Sequence, residues 1–82
     1  MTSPSANESE SLQIESIERE IERFRAEQAD AMARVKELRQ REDPERGITF
    51  HEDIFRLQQD KLRLDTEIQF LQVKLRRLAS TW

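Results

Sequence analysis

The segment REDPERGITFHED at residues 41–53 decides between one continuous helix and two helices that fold back on each other. Its Asp43-Pro44 step disfavours helical geometry at Asp43 and removes a backbone donor at Pro44. Gly47 then supplies a residue that tolerates a positive φ. The Thr-Phe-His-Glu run at residues 49–52 has the T-x-x-E form of a capping box, which starts helices. The segment therefore predicts a bend between two helices.

Upstream of the bend, apolar residues recur in alternating steps of three and four, which predicts a helix that buries one face. We expect this helix over about residues 9–42, after a disordered N-terminal tail at residues 1–8 that has nothing to bury. Asn7 and Glu10 have the spacing of a capping box, with Ser9 as a competing cap. The buried line of the first helix is predicted to be Ile14, Ile17, Ile21, Phe24, Gln28, Ala31, Val35 and Leu38.

Downstream of the bend, the same stepping continues to the end of the sequence. It predicts a second helix over about residues 49–82, after a turn at 43–48. At a rise of 1.5 Å per residue this helix is roughly 50 Å long. Its buried line is predicted to be Phe50, Ile54, Leu57, Lys61, Leu64, Ile68, Leu71, Leu75, Leu78 and Trp82. We call the two lines together the seam.

The two lines match each other when the chain folds back about Arg46. Seam positions that face each other then have residue numbers that sum to 92, from Leu38 with Ile54 to Ile14 with Leu78. Each such layer pairs an a position of one heptad with a d position of the other, as an antiparallel coiled coil requires. The predicted fold class is all-α: an antiparallel two-helix coiled-coil hairpin that dimerises into a four-helix bundle.

Charges beside the seam favour the antiparallel orientation. A parallel homodimer would place Arg34 against Arg39, and it would place Asp60 against Asp65. The antiparallel register instead brings mostly opposite charges together, although an open form in which two chains exchange helices satisfies the same pairs. The facing pairs are Arg41 with Asp53, Arg34 with Asp60, Glu20 with Lys74, Arg25 with Asp65, and the like-charged Glu27 with Glu67.

The second helix carries a further apolar line. At 100° per residue its members lie roughly opposite the seam, whereas the outer face of the first helix is charged or alanine-rich. Such a surface on a monomer would be adhesive, so a partner is expected. We expect a homo-oligomer, a dimer of hairpins, and otherwise a helical protein partner. This line, which we call the outer stripe, consists of Phe55, Leu62, Thr66, Phe70 and Val73.

Two seam positions are polar. Gln28 is predicted to face Leu64, and Lys61 to face Ala31, which weakens two adjacent layers. A polar residue at a core position fixes register and oligomer state at a cost in stability, and we favour this role for both residues. The alternative is a hinge or binding notch in which Lys61 extends past Ala31 to an acidic group such as Glu27.

Composition excludes several classes of function. The 82 residues are 38% charged, carry a net charge of −3 and include no cysteine and one histidine, His51. No nucleophile with a base, no metal-ligand set and no glycine-rich phosphate loop can be assembled, so we expect no enzyme, no cofactor and no metal.

The basic run of Lys74, Arg76 and Arg77 suits the end of a helix, and nucleic-acid binding is not expected. No signal peptide or membrane span is visible, and we expect a soluble, intracellular, cytoplasmic chain.

The bend gathers three acidic residues, Glu42, Asp43 and Glu45. In its hairpin form and in the Asp-Pro-Glu-Arg tip at residues 43–46, the sequence resembles the coiled-coil arm of Gre factors and DksA-like regulators, which reach into the RNA polymerase secondary channel with acidic residues. In length and in its proline-containing bend it is also similar to helical-hairpin chaperones and needle subunits of type III secretion. These resemblances imply an alternative function, a small hairpin regulator or chaperone that binds another protein.

The favoured functional prediction is a non-enzymatic coiled-coil scaffold that oligomerises through the outer stripe. The bend then needs no activity of its own, because a proline that stops one helix, a glycine that turns the chain and a cap that starts the next account for its residues.

Overall fold

The protein consists of two long helices joined by a short turn. The structure, a computed structural model, describes residues 6–80, with side chains from residue 9 onward. Helix α1 spans Ala6–Arg41 and helix α2 spans His51–Ala79, with a 3-10 turn at Pro44–Arg46 between them. Over residues 6–80 there is no β-strand, and the all-α fold class predicted from the sequence is confirmed.

The two helices pack side by side in opposite directions as a helical hairpin. Ile17 and Ile21 of α1 pack with Ile68 of α2 towards the open end. Gln28 meets the backbone of Lys61 further along, closer to the turn. The molecule is correspondingly elongated, with principal extents of 72 × 19 × 14 Å.

The contact between the helices is made by the seam residues. Leu64 is the most enclosed of them, at 3% exposure. The buried residues are Ile17, Ile21, Ala31, Val35, Ile54, Leu64 and Ile68. The half-buried seam residues are Ile14, Phe24, Gln28, Leu38, Phe50, Leu57, Lys61, Leu71, Leu75 and Leu78. Because two helices can cover only one face of each other, the core is a single line of side chains, which leaves the far face of each helix open.

The turn is closed by backbone hydrogen bonds around Pro44. Asp43 is extended, with φ −139° and ψ 88°, as the residue before a proline prefers. Its N–H donates to the carbonyl of Ile48 at 2.8 Å, and its carbonyl accepts from the N–H of Ile48 at 2.9 Å. Gly47 has a φ of 74°, in the left-handed region that glycine tolerates best. The bend thus lies where the sequence predicts it.

Helix α1 begins three residues earlier than predicted. Residues 6–8 are helical rather than part of the tail, and Asn7 lies inside the helix instead of capping it. Asparagine costs a helix only a few tenths of a kcal/mol relative to alanine, so it does not stop the helix from extending. Residues 1–5 of the predicted tail lie outside the described residues. At its other end α1 stops at Arg41, one residue before the predicted end.

Helix α2 begins later than predicted. Phe50 occupies the N-cap position and no side chain there caps the helix, so the predicted capping box at Thr49 does not form. The first intrahelical bond runs from the N–H of Ile54 to the carbonyl of Phe50 at 2.9 Å. Thr49 precedes the N-cap by one residue and is therefore out of position for this role. Helix α2 ends at Ala79, and the predicted seam position Trp82 lies outside the described residues.

Candidate interaction surface

The outer stripe is the most exposed apolar surface of α2. Phe70 is 71% exposed, Phe55 62%, Leu62 57% and Val73 41%. Thr66, in the middle of the stripe, is also exposed, and its hydroxyl donates to the carbonyl of Leu62 at 3.3 Å. The polar atom of Thr66 is therefore satisfied within α2, and the stripe presents no unpaired polar group at that position to an incoming partner.

The stripe lies on the side of α2 that faces away from α1. Ile54, Leu64 and Ile68 turn towards α1 and are buried, and the stripe residues follow a line roughly 160° around the helix from them. A shallow concavity of about 230 Å³ opens on this line, lined by Thr66, Gln69, Phe70 and Val73. It is too open to enclose a small ligand.

From residue 9 onward, where its side chains are described, helix α1 offers no comparable surface. Its exposed large apolar residues are Leu12, at 64%, and Met32, at 54%. These two residues are 20 positions apart, or about 30 Å along the helix, so they do not form a patch. Ile48 in the turn is 42% exposed and lies on neither helix. The apolar surface that a partner would cover therefore belongs to α2.

Gln28 links the two helices. Its side-chain amide donates to the carbonyl of Lys61 at 3.1 Å and to the carboxylate of Asp65. The sequence predicts a register role for Gln28 but misses Asp65 as its partner. The residue numbers of Gln28 and Asp65 sum to 93, one more than those of a seam layer. A search of the sequence for polar pairs near that sum could have identified this contact.

Lys61 lies beside an apolar groove between the helices. The groove has a volume of about 550 Å³, and small Ala31 forms part of its wall where a larger residue would fill it. Lys61 is half-buried at its edge, and Met32 and Leu57 supply further apolar lining. The contact of Lys61 with Glu27, which belongs to the alternative interpretation of Lys61 as part of a hinge or binding notch, does not form within 4.0 Å. The sequence predicts the weak layer but not the size of the groove.

The predicted ion pairs between the helices also do not form within 4.0 Å. Among the described residues the ion pairs stay within one helix or the turn. They are Glu20 with Arg23 at 3.8 Å, Glu37 with Arg41 at 4.0 Å and Asp43 with Arg46 at 3.5 Å. The helix already holds charged side chains three or four residues apart within reach of each other. An exposed ion pair across the seam would add little to the free energy of folding.

The residues that were expected to pair nevertheless share a groove. A space of about 490 Å³ beside the seam is lined by Arg34 and Arg41 from α1 and by Asp53 and Asp60 from α2. The two arginines of α1 are opposite in charge to the two aspartates of α2, and Glu37 of α1 and Arg56 of α2, which also line the space, are likewise opposite in charge. This arrangement favours the antiparallel orientation through longer-range attraction rather than through contact.

The acidic residues of the bend are largely engaged in the turn. Glu42 is half-buried, and its carboxylate accepts from the N–H of Phe50 at 3.4 Å. Asp43 is half-buried and lies 3.5 Å from Arg46, while Glu45 is exposed. Two of the three carboxylates thus close the bend and start α2, which favours the structural role of this segment over a projecting acidic tip.

Other kinds of site find little support. Among residues 9–80, whose side chains the structure describes, no three His, Cys, Asp or Glu side chains are close enough to hold one metal ion. No helix in that part of the chain is both long enough and apolar enough to cross a membrane. Lys74, Arg76 and Arg77 are exposed near the end of α2, and the single His51 is exposed at its start.

Comparison of the chain with protein-family models, with curated proteins and with solved structures gave no match.

Proposed function

We propose that this protein is a non-enzymatic scaffold module that mediates protein–protein interaction by self-association, with the outer stripe as its contact surface. The observation that carries the proposal is the exposure of four large apolar side chains in one line on α2, with no equivalent line on α1. Two hairpins would meet through their α2 helices, and the α1 helices would lie outside.

The free energy that the stripe can contribute is comparable to the cost of association. Burying one Phe, Leu or Val side chain completely contributes about 1.5–3 kcal/mol. Because these side chains are already partly covered, four of them contribute about 4–8 kcal/mol from each copy, and two copies contribute about twice that. Association costs about 4–15 kcal/mol in lost freedom of motion, which is of the same size, so a dimer requires that both copies bury their stripes.

The resulting assembly is a four-helix bundle built by coiled-coil packing. The seam follows steps of three and four along α2, and the outer stripe follows steps of seven, four, four and three. Both spacings keep the residues on one face of the helix, where side chains can enter the gaps of a neighbouring helix. A central α2 would then be covered on both faces, by α1 of its own chain and by α2 of the other copy.

The absolute mass in solution, measured by light scattering over a concentration series, tests the proposal. The wild type should be a dimer or a larger oligomer. The double variant Phe55→Glu with Leu62→Glu should have the mass of one chain while circular dichroism shows that it stays helical, because two charges on the stripe cannot be buried together.

A matched control is available on α1. The double variant Leu12→Glu with Met32→Glu makes the same chemical change at two apolar residues of similar exposure, away from the stripe. It should keep the mass of the wild type. If the stripe variant also kept that mass, the contact would lie elsewhere and the proposal would be wrong.

The alternative function, a hairpin regulator or chaperone that binds another protein through its acidic tip, has less support. Glu42 and Asp43 take part in the turn, and Glu45 alone of the three is exposed. Under this alternative the chain would be monomeric, and replacing Glu45 with Ala would weaken partner binding without changing helix content.

A further inference from the structure

The spacing of a line of residues along the outer face of α2 is the same in both directions. From Glu52 to Arg76 this face is crossed in steps of three, four, three, four, three, four and three. The line is symmetric about Leu64, so members at equal distances from the centre have residue numbers that sum to 128. The matching pairs are Glu52 with Arg76, Phe55 with Val73, Gln59 with Gln69, and Leu62 with Thr66.

We propose that the outer stripe binds a second copy of this chain with the two α2 helices antiparallel and crossing at Leu64. This inference rests on the proposed function and specifies its partner, orientation and register. Phe55 then packs against Val73 of the partner subunit, and Leu62 packs against Thr66 of the partner subunit. By the two-fold symmetry of the contact, each of these layers occurs twice.

The strict alternation of three and four is the pattern that antiparallel helices need. Core layers of such a pair join an a position of one helix with a d position of the other, and each pair that sums to 128 joins members of these two classes. The line covers 25 residues, or about 36 Å of helix, which is most of α2. The contact therefore engages nearly the whole outer face of the helix.

Charge at the two ends of the line selects the orientation. Glu52 and Arg76 are both exposed and carry opposite charges at opposite ends. Antiparallel packing brings each Glu52 to Arg76 of the partner subunit. Parallel packing would place Glu52 next to Glu52 of the partner subunit and Arg76 next to Arg76 of the partner subunit. Both contacts would be repulsive.

The middle of the contact avoids buried charge. The polar members between the apolar layers are Gln59 and Gln69, and Gln58 lies beside them. These uncharged side chains can hydrogen-bond across the contact without the large desolvation cost of an ion. Near the two-fold axis, Arg63 lies next to Arg63 of the partner subunit, and because Arg63 is exposed these like charges repel only weakly. Asp65 is half-buried, and its carboxylate is held towards α1 by Gln28.

Cysteine cross-linking tests the register, because the sequence contains no cysteine that would interfere. The double variant Glu52→Cys with Arg76→Cys should form a covalent dimer under mild oxidation, and an equimolar mixture of the two single variants should form one as well. Each single variant alone should stay uncrosslinked, because its two thiols would be about 36 Å apart. Cross-linking of a single variant with itself would overturn the proposed register.

Charge reversal gives a second test that keeps the apolar contact intact. Glu52→Arg should weaken dimerisation about 3- to 10-fold, because it replaces two attractive pairs with two repulsive ones. Adding Arg76→Glu in the same chain should restore the affinity of the wild type, and 1 M salt should remove the difference. Glu15→Arg, on the outer face of α1, is the control and should leave the affinity unchanged. A double variant weaker than Glu52→Arg would contradict the inference.

The mass of the wild type separates the two proposals. If the chain is monomeric over the whole concentration series, the proposed function fails and the register fails with it. If the chain is dimeric but single-cysteine variants cross-link with themselves, self-association stands and the antiparallel register alone is wrong.

Discussion

The side-chain amide of Gln28 on α1 donates to the carboxylate of Asp65 on α2, and it also donates to the carbonyl of Lys61 at 3.1 Å. These hydrogen bonds cross the seam at a half-buried position, in a core that is otherwise mostly apolar. Apolar side chains pack without direction, so a helix that slipped by one turn would still bury them. A sliding helix would break both bonds of Gln28, which therefore favour one register.

Gln28→Ala should lower the free energy of unfolding by about 1–2 kcal/mol, because it removes both hydrogen bonds, one of them to a charged acceptor. In a domain of this size such a change lowers the melting temperature by about 4–8 °C per kcal/mol. Thermal unfolding followed by circular dichroism measures it. Gln13→Ala, at an exposed position of the same helix, is the control and should have almost no effect. Equal effects of the two substitutions would show that the link contributes nothing to stability.

The thin core should make single truncations costly. Ile68 packs against Ile17 and Ile21, so Ile68→Ala removes apolar contacts from a line with no second layer behind it. We expect a loss of about 2–4 kcal/mol, enough to unfold a marginal hairpin near room temperature. Chemical denaturation monitored by circular dichroism gives the value. Val73→Ala is the matched control for the hairpin itself, because this residue is 41% exposed on the opposite face. It should affect the mass in solution more than the folding of one chain.

The seam is the part of the structure that the sequence predicts best. Its residues alternate by three and four, and the period of a helix alone decides which side chains share a face, so the positions of Ile21 and Leu64 follow without knowledge of anything else. The bend at Pro44 and Gly47 is predictable for a similar reason, since each restricts or frees its own backbone.

Helix starts and ion pairs are predicted less well because several partners compete for the same group. The T-x-x-E pattern suggests that Thr49 caps α2, but the N–H of Phe50 bonds to Glu42 from the other side of the turn. Arg41 could have reached Asp53 across the seam, but Glu37 is closer along its own helix. The capping pattern does not include Glu42, and the seam register does not compare Asp53 with the i, i+4 partner Glu37.

Gly47 should be sensitive to substitution for conformational reasons only. A Cβ added at this residue would meet nothing within 4 Å, so crowding is absent, while a φ of 74° is costly for residues with a side chain. Gly47→Ala should therefore destabilise the hairpin by about 1 kcal/mol, and Gly47→Asn should cost less because asparagine tolerates this region better. Melting temperatures of both variants test the prediction, with exposed Glu45→Ala as the neutral neighbour. An equal loss for Ala and Asn would contradict the backbone explanation.

Lys61→Leu should stabilise the hairpin while making its register less specific. Lys61 is half-buried beside the apolar groove that Ala31 leaves open, so a leucine there gains apolar contact and no longer has to keep a charge near the core. We expect a gain of about 1 kcal/mol in the free energy of unfolding. Lys74→Leu, at an exposed position of α2, should give no such gain.

The loss of specificity should appear when Lys61→Leu is combined with Gln28→Leu, because the two polar positions that distinguish one register from another would both be apolar. Light scattering on the double variant should then show a mixture of masses. A single mass equal to that of the wild type would mean that the turn and the remaining seam fix the register without these two residues.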